Sequence, residues 1–238
     1  MNRENKIDIF IRLIINSFIN TYKITANIIT RFYFAQSYRI LSPMRIITFD
    51  IETKNLFQDV GSNDPVDLDI SVVCIHDSAK GDSPEAYSSF TESDMSKLWP
   101  IIEQADALVT WNGDHFDIPL LNKYYPGDLS KIKSLDLMRE VQLKLGRRLK
   151  LDTVAEATLG VKKSGHGLEA VEWWKAGEID KIIKYCIDDV KITRQLYDYA
   201  MKNKVLKYRD AGTLKEIKLD TSKWNVLEPV SMTFTLPF

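Results

Sequence analysis

The chain has 238 residues, 45% hydrophobic and 27% charged, with a formal net charge of −1. This is an ordinary globular composition, with material for one main domain and a full core. It excludes a chain that advertises a polyanionic partner through overall charge, so any such surface must be local.

Residues 1–43 differ in character from the rest of the chain. They are rich in Ile, Phe and Asn, carry scattered basic residues and contain no Gly. Their longest uncharged run, Leu13 to Tyr22, is shorter than the roughly 20 residues a membrane span needs, so no membrane partner is expected. Ile7 to Ile11 is apolar apart from Asp8 before Arg12, and no convincing small-x-small cleavage site follows, which argues against a signal peptide. Two readings stay open. Either translation starts at Met44, or the segment is an amphipathic helix resting on the domain or on a membrane surface. In both cases the extension is expected to be dispensable for catalysis.

Arg45-Ile-Ile-Thr-Phe-Asp-Ile-Glu-Thr53 reads as a central strand, apolar or β-branched in most of its early positions and free of Gly and Pro. Side chains alternate along a strand, so Asp50 and Glu52 share a face about 7 Å apart. Two carboxylates on a buried face repel each other and lose hydration, so they take up a cation or protonate. A hard divalent metal with oxygen ligands meets both demands. Taken alone, the pair reads more readily as an acidic strand end in solvent, and carboxylates arriving from elsewhere decide the matter.

A polar loop, Asn55 to Asp67, comes next and is placed to cover a site mouth. Asp69–His76 reads as a second strand and Glu85–Phe90 as a short third. Thr91 or Ser93 is expected to cap a helix running to about Gln104. Ala107–Trp111 is the next strand, parallel to the first by the crossover rule. Trp111-Asn112-Gly113 then turns into a helix near Pro119, with Asp117 placed as its cap. Capping alone is one account of Asp117, and a place in a site at a strand's carboxyl end is the other.

Residues 131–163 are locally basic, and helices are expected at Asp136–Leu145 and Leu151–Leu159. Gly146-Arg147-Arg148 and Lys162-Lys163-Ser164-Gly165-His166-Gly167 are loop-like and placed to meet phosphates, although each of these residues reads individually as solvated surface. A long helix runs from Glu178 to about Lys204. Ile182, Tyr185, Asp189, Ile192 and Leu196 follow 3-4-3-4 spacing and form one buried stripe. Asp188 falls with Lys181, Lys184 and Lys191 on the polar side. Asp189, in contrast, sits among apolar residues and needs a partner. Val205–Leu219 reads as a hairpin turning at Asp210-Ala211-Gly212, and the tail beyond it carries no functional signal.

Cys74 and Cys186 both fall in apolar segments, which fits reduced structural thiols and a cytoplasmic setting. No zinc-spaced Cys/His cluster and no Gly-rich phosphate loop occurs.

Asp-Ile-Glu-Thr on the first strand, Asn-x-x-x-Phe-Asp after a later one, and Tyr-x-x-x-Asp on a C-terminal helix stand in that order. They resemble the three motifs of the DEDD (DnaQ-like) 3′–5′ exonuclease superfamily in its Tyr-containing DEDDy branch. The likeness is to stand-alone prokaryotic ribonuclease H-like exonuclease domains and to the proofreading domains of family B DNA polymerases. It covers roughly residues 44–204, with 205–238 left as a C-terminal hairpin and tail. The implied fold is α/β, a ribonuclease H-like mixed five-stranded sheet flanked by helices.

By that resemblance, Asp50 bridges two Mg²⁺ or Mn²⁺ ions, Glu52 and Asp189 complete one site, and Asp117 holds the second. Tyr185 orients the attacking water. Lys184 stands where the sister branch has a His, so His115 and His166 are not expected to act as the base. Thr53, Asn112, Phe116, Lys163 and His166 are the expected substrate-binding residues. The implied substrate is the 3′ end of single-stranded DNA or RNA, released as nucleoside 5′-monophosphates. A different ribonuclease H-type nuclease (endonuclease or resolvase) and a catalytically silent nucleic-acid-binding module stay open as alternatives.

Overall fold

A computed structural model describes residues 43–161 and 167–226, which, apart from Pro43, belong to a unit spanning Met44–Phe238. Its frame is a five-stranded sheet of β1 (Ile46–Thr53), β2 (Ile70–Asp77), β3 (Tyr87–Thr91), β4 (Ala107–Thr110) and β5 (Ser134–Asp136). The strand order is β3-β2-β1-β4-β5. β1–β2 and β2–β3 pair antiparallel, whereas β1–β4 and β4–β5 pair parallel, so β1 is the central strand where the two halves meet. The helices are α1 (Phe57–Val60), α2 (Met95–Ile102), α3 (Asp117–Asn122), α4 (Leu137–Leu145), α5 (Leu151–Leu159), α6 (Gly167–Lys175) and α7 (Ile179–Asn203). A separate hairpin, β6 (Val205–Asp210) and β7 (Thr213–Lys218), comes after α7.

Strand alternation sorts the core into layers. Ile47, Phe49 and Ile51 of β1 join Val73 and Ile75 of β2 under Leu98 and Ile102 of α2 and Leu120 and Leu121 of α3. The even-numbered β1 positions face the other way. On that face Val72 and Cys74 of β2 meet Ile182, Cys186 and Val190 of α7. Asp50 is the register partner of Cys74, so the acidic positions of β1 lie over the layer that α7 covers. Leu206, Tyr208 and Ile217 of the hairpin share a third cluster with Leu196, Tyr197 and Ala200 of α7. Thr158 of α5 ties the hairpin in, its hydroxyl donating to the Lys207 carbonyl and accepting from the Lys207 amide.

Several expectations shift. The third strand starts at Tyr87, because Pro84–Ala86 is wound into a 3₁₀ turn that cannot pair. The helix expected from Thr91 or Ser93 to Gln104 is a 3₁₀ turn, Glu92–Asp94, then α2, which ends at Ile102. Thr91 bonds the Ser93 and Asp94 side chains and makes no side-chain cap bond to the helix backbone. β5 and α6 are additions that the sequence pattern does not predict. The extension, residues 1–42, and the tail from 227 lie outside the described residues. Among the described residues, no helix is long and apolar enough to cross a membrane.

Candidate active site

β1 and α7 build the centre. Asp50 and Glu52 leave β1 on one face, and α7 crosses that face with its buried stripe, which carries Ile182, Tyr185, Asp189, Ile192 and Leu196. One carboxylate oxygen from each of Asp50, Glu52 and Asp189 lies within 4.8 Å of the other two. Glu52 and Asp189 are buried, at 8% and 6% exposure, and Asp50 is half-buried. Acids this close, two of them buried, repel one another, and an oxygen-seeking divalent cation would relieve that repulsion. The Cys186 thiol donates to the Asp50 carbonyl at 3.3 Å, fixing α7 against β1 one turn before Asp189. Burial pushes this thiol up, Cys74 and the Asp50 and Glu52 charges add to the shift, and both cysteines are free and buried.

The third expected ligand segment is shaped by backbone. Asn112 takes a left-handed conformation, φ 75°, and its carbonyl accepts from the His115 and Phe116 amides. At Gly113 a Cβ would lie 2.2 Å from the Thr110 hydroxyl, so only glycine fits. Asp136, the N-cap of α4, accepts from the amides of Asn112, Asp114, Met138 and Arg139 and so fastens this loop to β5. Sequence reading missed Asp136. Its signal was an Asp directly ahead of a helical run, the ordinary mark of an N-cap.

Asp117 does not cap its helix. α3 begins at Asp117 itself, Phe116 holds the cap position, and no side-chain cap bond forms. The Phe116 and Ile118 amides are taken by the Asn112 and Gly113 carbonyls, so the turn starts the helix early and carries Asp117 inward. Burial there, with Asp136 and Asp189 adding like charge, pushes the Asp117 carboxyl up to about 8 against the pull of the Ile51 amide. Asp117 therefore lies electrostatically within reach of Asp189 but outside the three-carboxylate cluster.

A cavity of about 840 Å³ opens over the acids. Asp50, Glu52, Thr53, Asn112, Phe116 and Asp189 line it, whereas Asp117 and Tyr185 are not on its wall. Tyr185 is buried at 4% exposure, with its ring edge-to-face against Trp173 at 5.9 Å. Lys163 and His166 lie outside the described residues. Arg148 and Lys150 also line the cavity, exposed on either side of buried Leu149. Neither makes a salt bridge among the described residues, whereas Arg147 turns away to Asp210 and Tyr208. Phe57 of α1 meets Phe116 at 6.2 Å, so the loop after β1 does edge the cavity.

A mixed sheet of this order with carboxylates on its central strand defines a ribonuclease H-type α/β domain, whose acids are fit to bind a divalent metal. The chain belongs to the RNase_H superfamily: residues 47–201 match the RNase_H_2 family model. Among solved structures it is similar to the family B DNA polymerase from the hyperthermophilic archaeon Pyrobaculum calidifontis, with a TM-score of 0.51 at 20% sequence identity. That similarity covers 67% of this chain and 25% of the polymerase chain. A comparison with curated proteins gives no match.

Proposed function

We propose that this chain is a divalent-metal-dependent 3′–5′ exonuclease, removing nucleoside 5′-monophosphates from the 3′ end of single-stranded DNA or RNA. The observation that carries this reading is the convergence of Asp50, Glu52 and Asp189 at the floor of an open cavity. The donors are all carboxylate oxygens, which suits Mg²⁺ or Mn²⁺. Asp50, Glu52 and Asp189 would hold one ion, and Asp50 with Asp117 a second. Bound ions would supply Lewis acidity to the phosphodiester and charge stabilisation to the leaving oxygen.

The chain's own groups do the rest. Burial of Glu52 and Asp189 keeps their charge poorly screened, so it would act strongly on a bound cation. Tyr185 positions the attacking water, and Thr53, Asn112 and Phe116 hold the terminal nucleotide, with Lys163 and His166 completing that set. Arg148 and Lys150 meet the phosphates of the incoming strand, so that the one cavity offers cations to the backbone and acids to a metal. The domain acts on nucleic acid in the cytoplasm, and residues 1–43 are dispensable for turnover.

Reversing the wall's charge tests the substrate side. Arg148→Glu with Lys150→Glu is expected to raise KM roughly tenfold or more at low salt and to reduce the salt slope of binding by about 1–2. Because neither residue belongs to the carboxylate cluster, kcat should change little. The reading as a whole is tested by digesting 5′-end-labelled single-stranded DNA and RNA with Mg²⁺, Mn²⁺ or EDTA, beside circular counterparts. Progressive shortening from the 3′ end, with circles intact and EDTA blocking turnover, is expected. Cleavage of the circles would mean an endonuclease on the same fold. No metal-dependent turnover on any substrate would mean a binding module.

A further inference from the structure

α6 ends in a tandem Trp pair whose two rings make different contacts. Trp173 meets Tyr185 edge-to-face, ring centroids 5.9 Å apart and planes at 71°. Trp174 instead lies under the Lys54 ammonium, 5.0 Å from its ring centroid. Both indoles are only partly buried, which is a poor return for core packing, and both flank the layer formed by Ala170, Ile182 and Cys186. Tyr185 leaves α7 one turn before Asp189, where the helix backbone narrows χ1 and the neighbours packed beside the ring select among the orientations left. Of the two indoles, Trp173 makes the ring contact with it.

We infer that Trp173 is a positioning residue for Tyr185, holding the phenol ring in the orientation that Tyr185 uses at the site. The inference rests on the role proposed above for Tyr185. Its physical basis is that an aromatic pair in this geometry is attractive beyond the area it buries, so the contact selects one ring orientation from those the backbone allows. Trp173, which is not among the residues lining the cavity, thereby acts on the reaction through Tyr185. Trp174, which meets Lys54 next to Thr53, has no such link to Tyr185 and serves as the internal control.

The test is a double-mutant cycle on the full chain, read as kcat with metal and single-stranded substrate saturating. Trp173→Leu is expected to lower kcat about threefold to tenfold with KM unchanged, the loss corresponding to one aromatic pair. Trp173→Phe, which restores a ring at that place, should recover most of it. In a Tyr185→Phe background, whose phenol hydroxyl is already gone, Trp173→Leu should cost almost nothing further. Trp174→Leu should have the same effect in both backgrounds. Fully additive losses for Trp173→Leu and Tyr185→Phe would overturn the inference, because a merely structural Trp acts through stability and does not sense the Tyr hydroxyl. A Tyr185→Phe enzyme as fast as the parent would instead overturn the proposed role of Tyr185, so the two failures are told apart. Should Trp173→Leu fold poorly, Trp173→Phe and Trp173→Tyr in both backgrounds give the same cycle with smaller amplitude.

Discussion

Asp189→Ala is expected to remove nearly all metal-dependent nuclease activity, while Asp188→Ala leaves it almost unchanged. The two residues are adjacent and chemically identical, so only their place on α7 separates them. Asp189 is 6% exposed and contributes to the three-carboxylate cluster. Asp188 pairs with Lys191 at 3.5 Å, the two side chains 36% and 46% exposed. Losing an outer-sphere partner of a metal site already costs about 10–100-fold, so losing a ligand costs more. Losing an exposed pairing costs about 0–1 kcal/mol of stability and no chemistry. Tyr185→Phe should fall between them, near ~10²-fold, since it keeps the ring and loses the positioning hydroxyl. The check is the metal-saturated rate of the three variants side by side. Equal damage at 188 and 189 would mean that α7 presents a different face to the site.

Asp117→Asn is expected to stabilise the metal-free protein, increasingly so as pH rises. Burial holds the folded-state carboxyl at about 8, against an ordinary value of 3.8. A carboxyl raised on folding favours the native state when protonated. Its stabilising contribution is therefore complete below about pH 4 and is lost progressively as pH rises to about 8, where the folded protein too must carry the charge. Asparagine keeps an acceptor for the Ile51 amide and never ionises. The gap between variant and parent should open across that window and reach the order of a few kcal/mol, or roughly 5–10 °C in Tm. Divalent cation should narrow it, because a metal ion favours the ionised parent over the neutral amide. Thermal melts of both proteins from pH 4 to 8.5, with and without Mn²⁺, check this. A gap independent of pH would mean that Asp117 does not titrate in the folded chain.

Legibility in the sequence depended on where the information lies. The alternation that puts Asp50 and Glu52 on one face, and the 3-4 spacing that separates Asp189 from Asp188, are local periodicities, and both hold in the fold. The mixed sheet was readable through strand order and the resemblance together. Features set by distant contacts were not. β5 is three residues long, too short to show a period, and pairs with β4 through only a few positions. Asp117 looked like a cap because its neighbours in sequence say so. Its burial is decided by the Asn112 turn and by Ile51, which sequence spacing does not reveal. Likewise Arg147, Arg148 and Lys150 are alike in composition. Arg148, Leu149 and Lys150 all line the cavity, while Asp210, some sixty residues on, draws Arg147 away.

The central claim is that β1 and α7 together hold a divalent cation. Titration of the full chain with Mn²⁺, following free ion by electron paramagnetic resonance, measures it without any assumption about substrate. The parent and Asp188→Asn should bind with the same affinity, and Asp50→Asn and Asp189→Asn should each bind at least about tenfold more weakly. Undiminished Mn²⁺ binding by Asp50→Asn and Asp189→Asn, with both variants folded, would contradict the account.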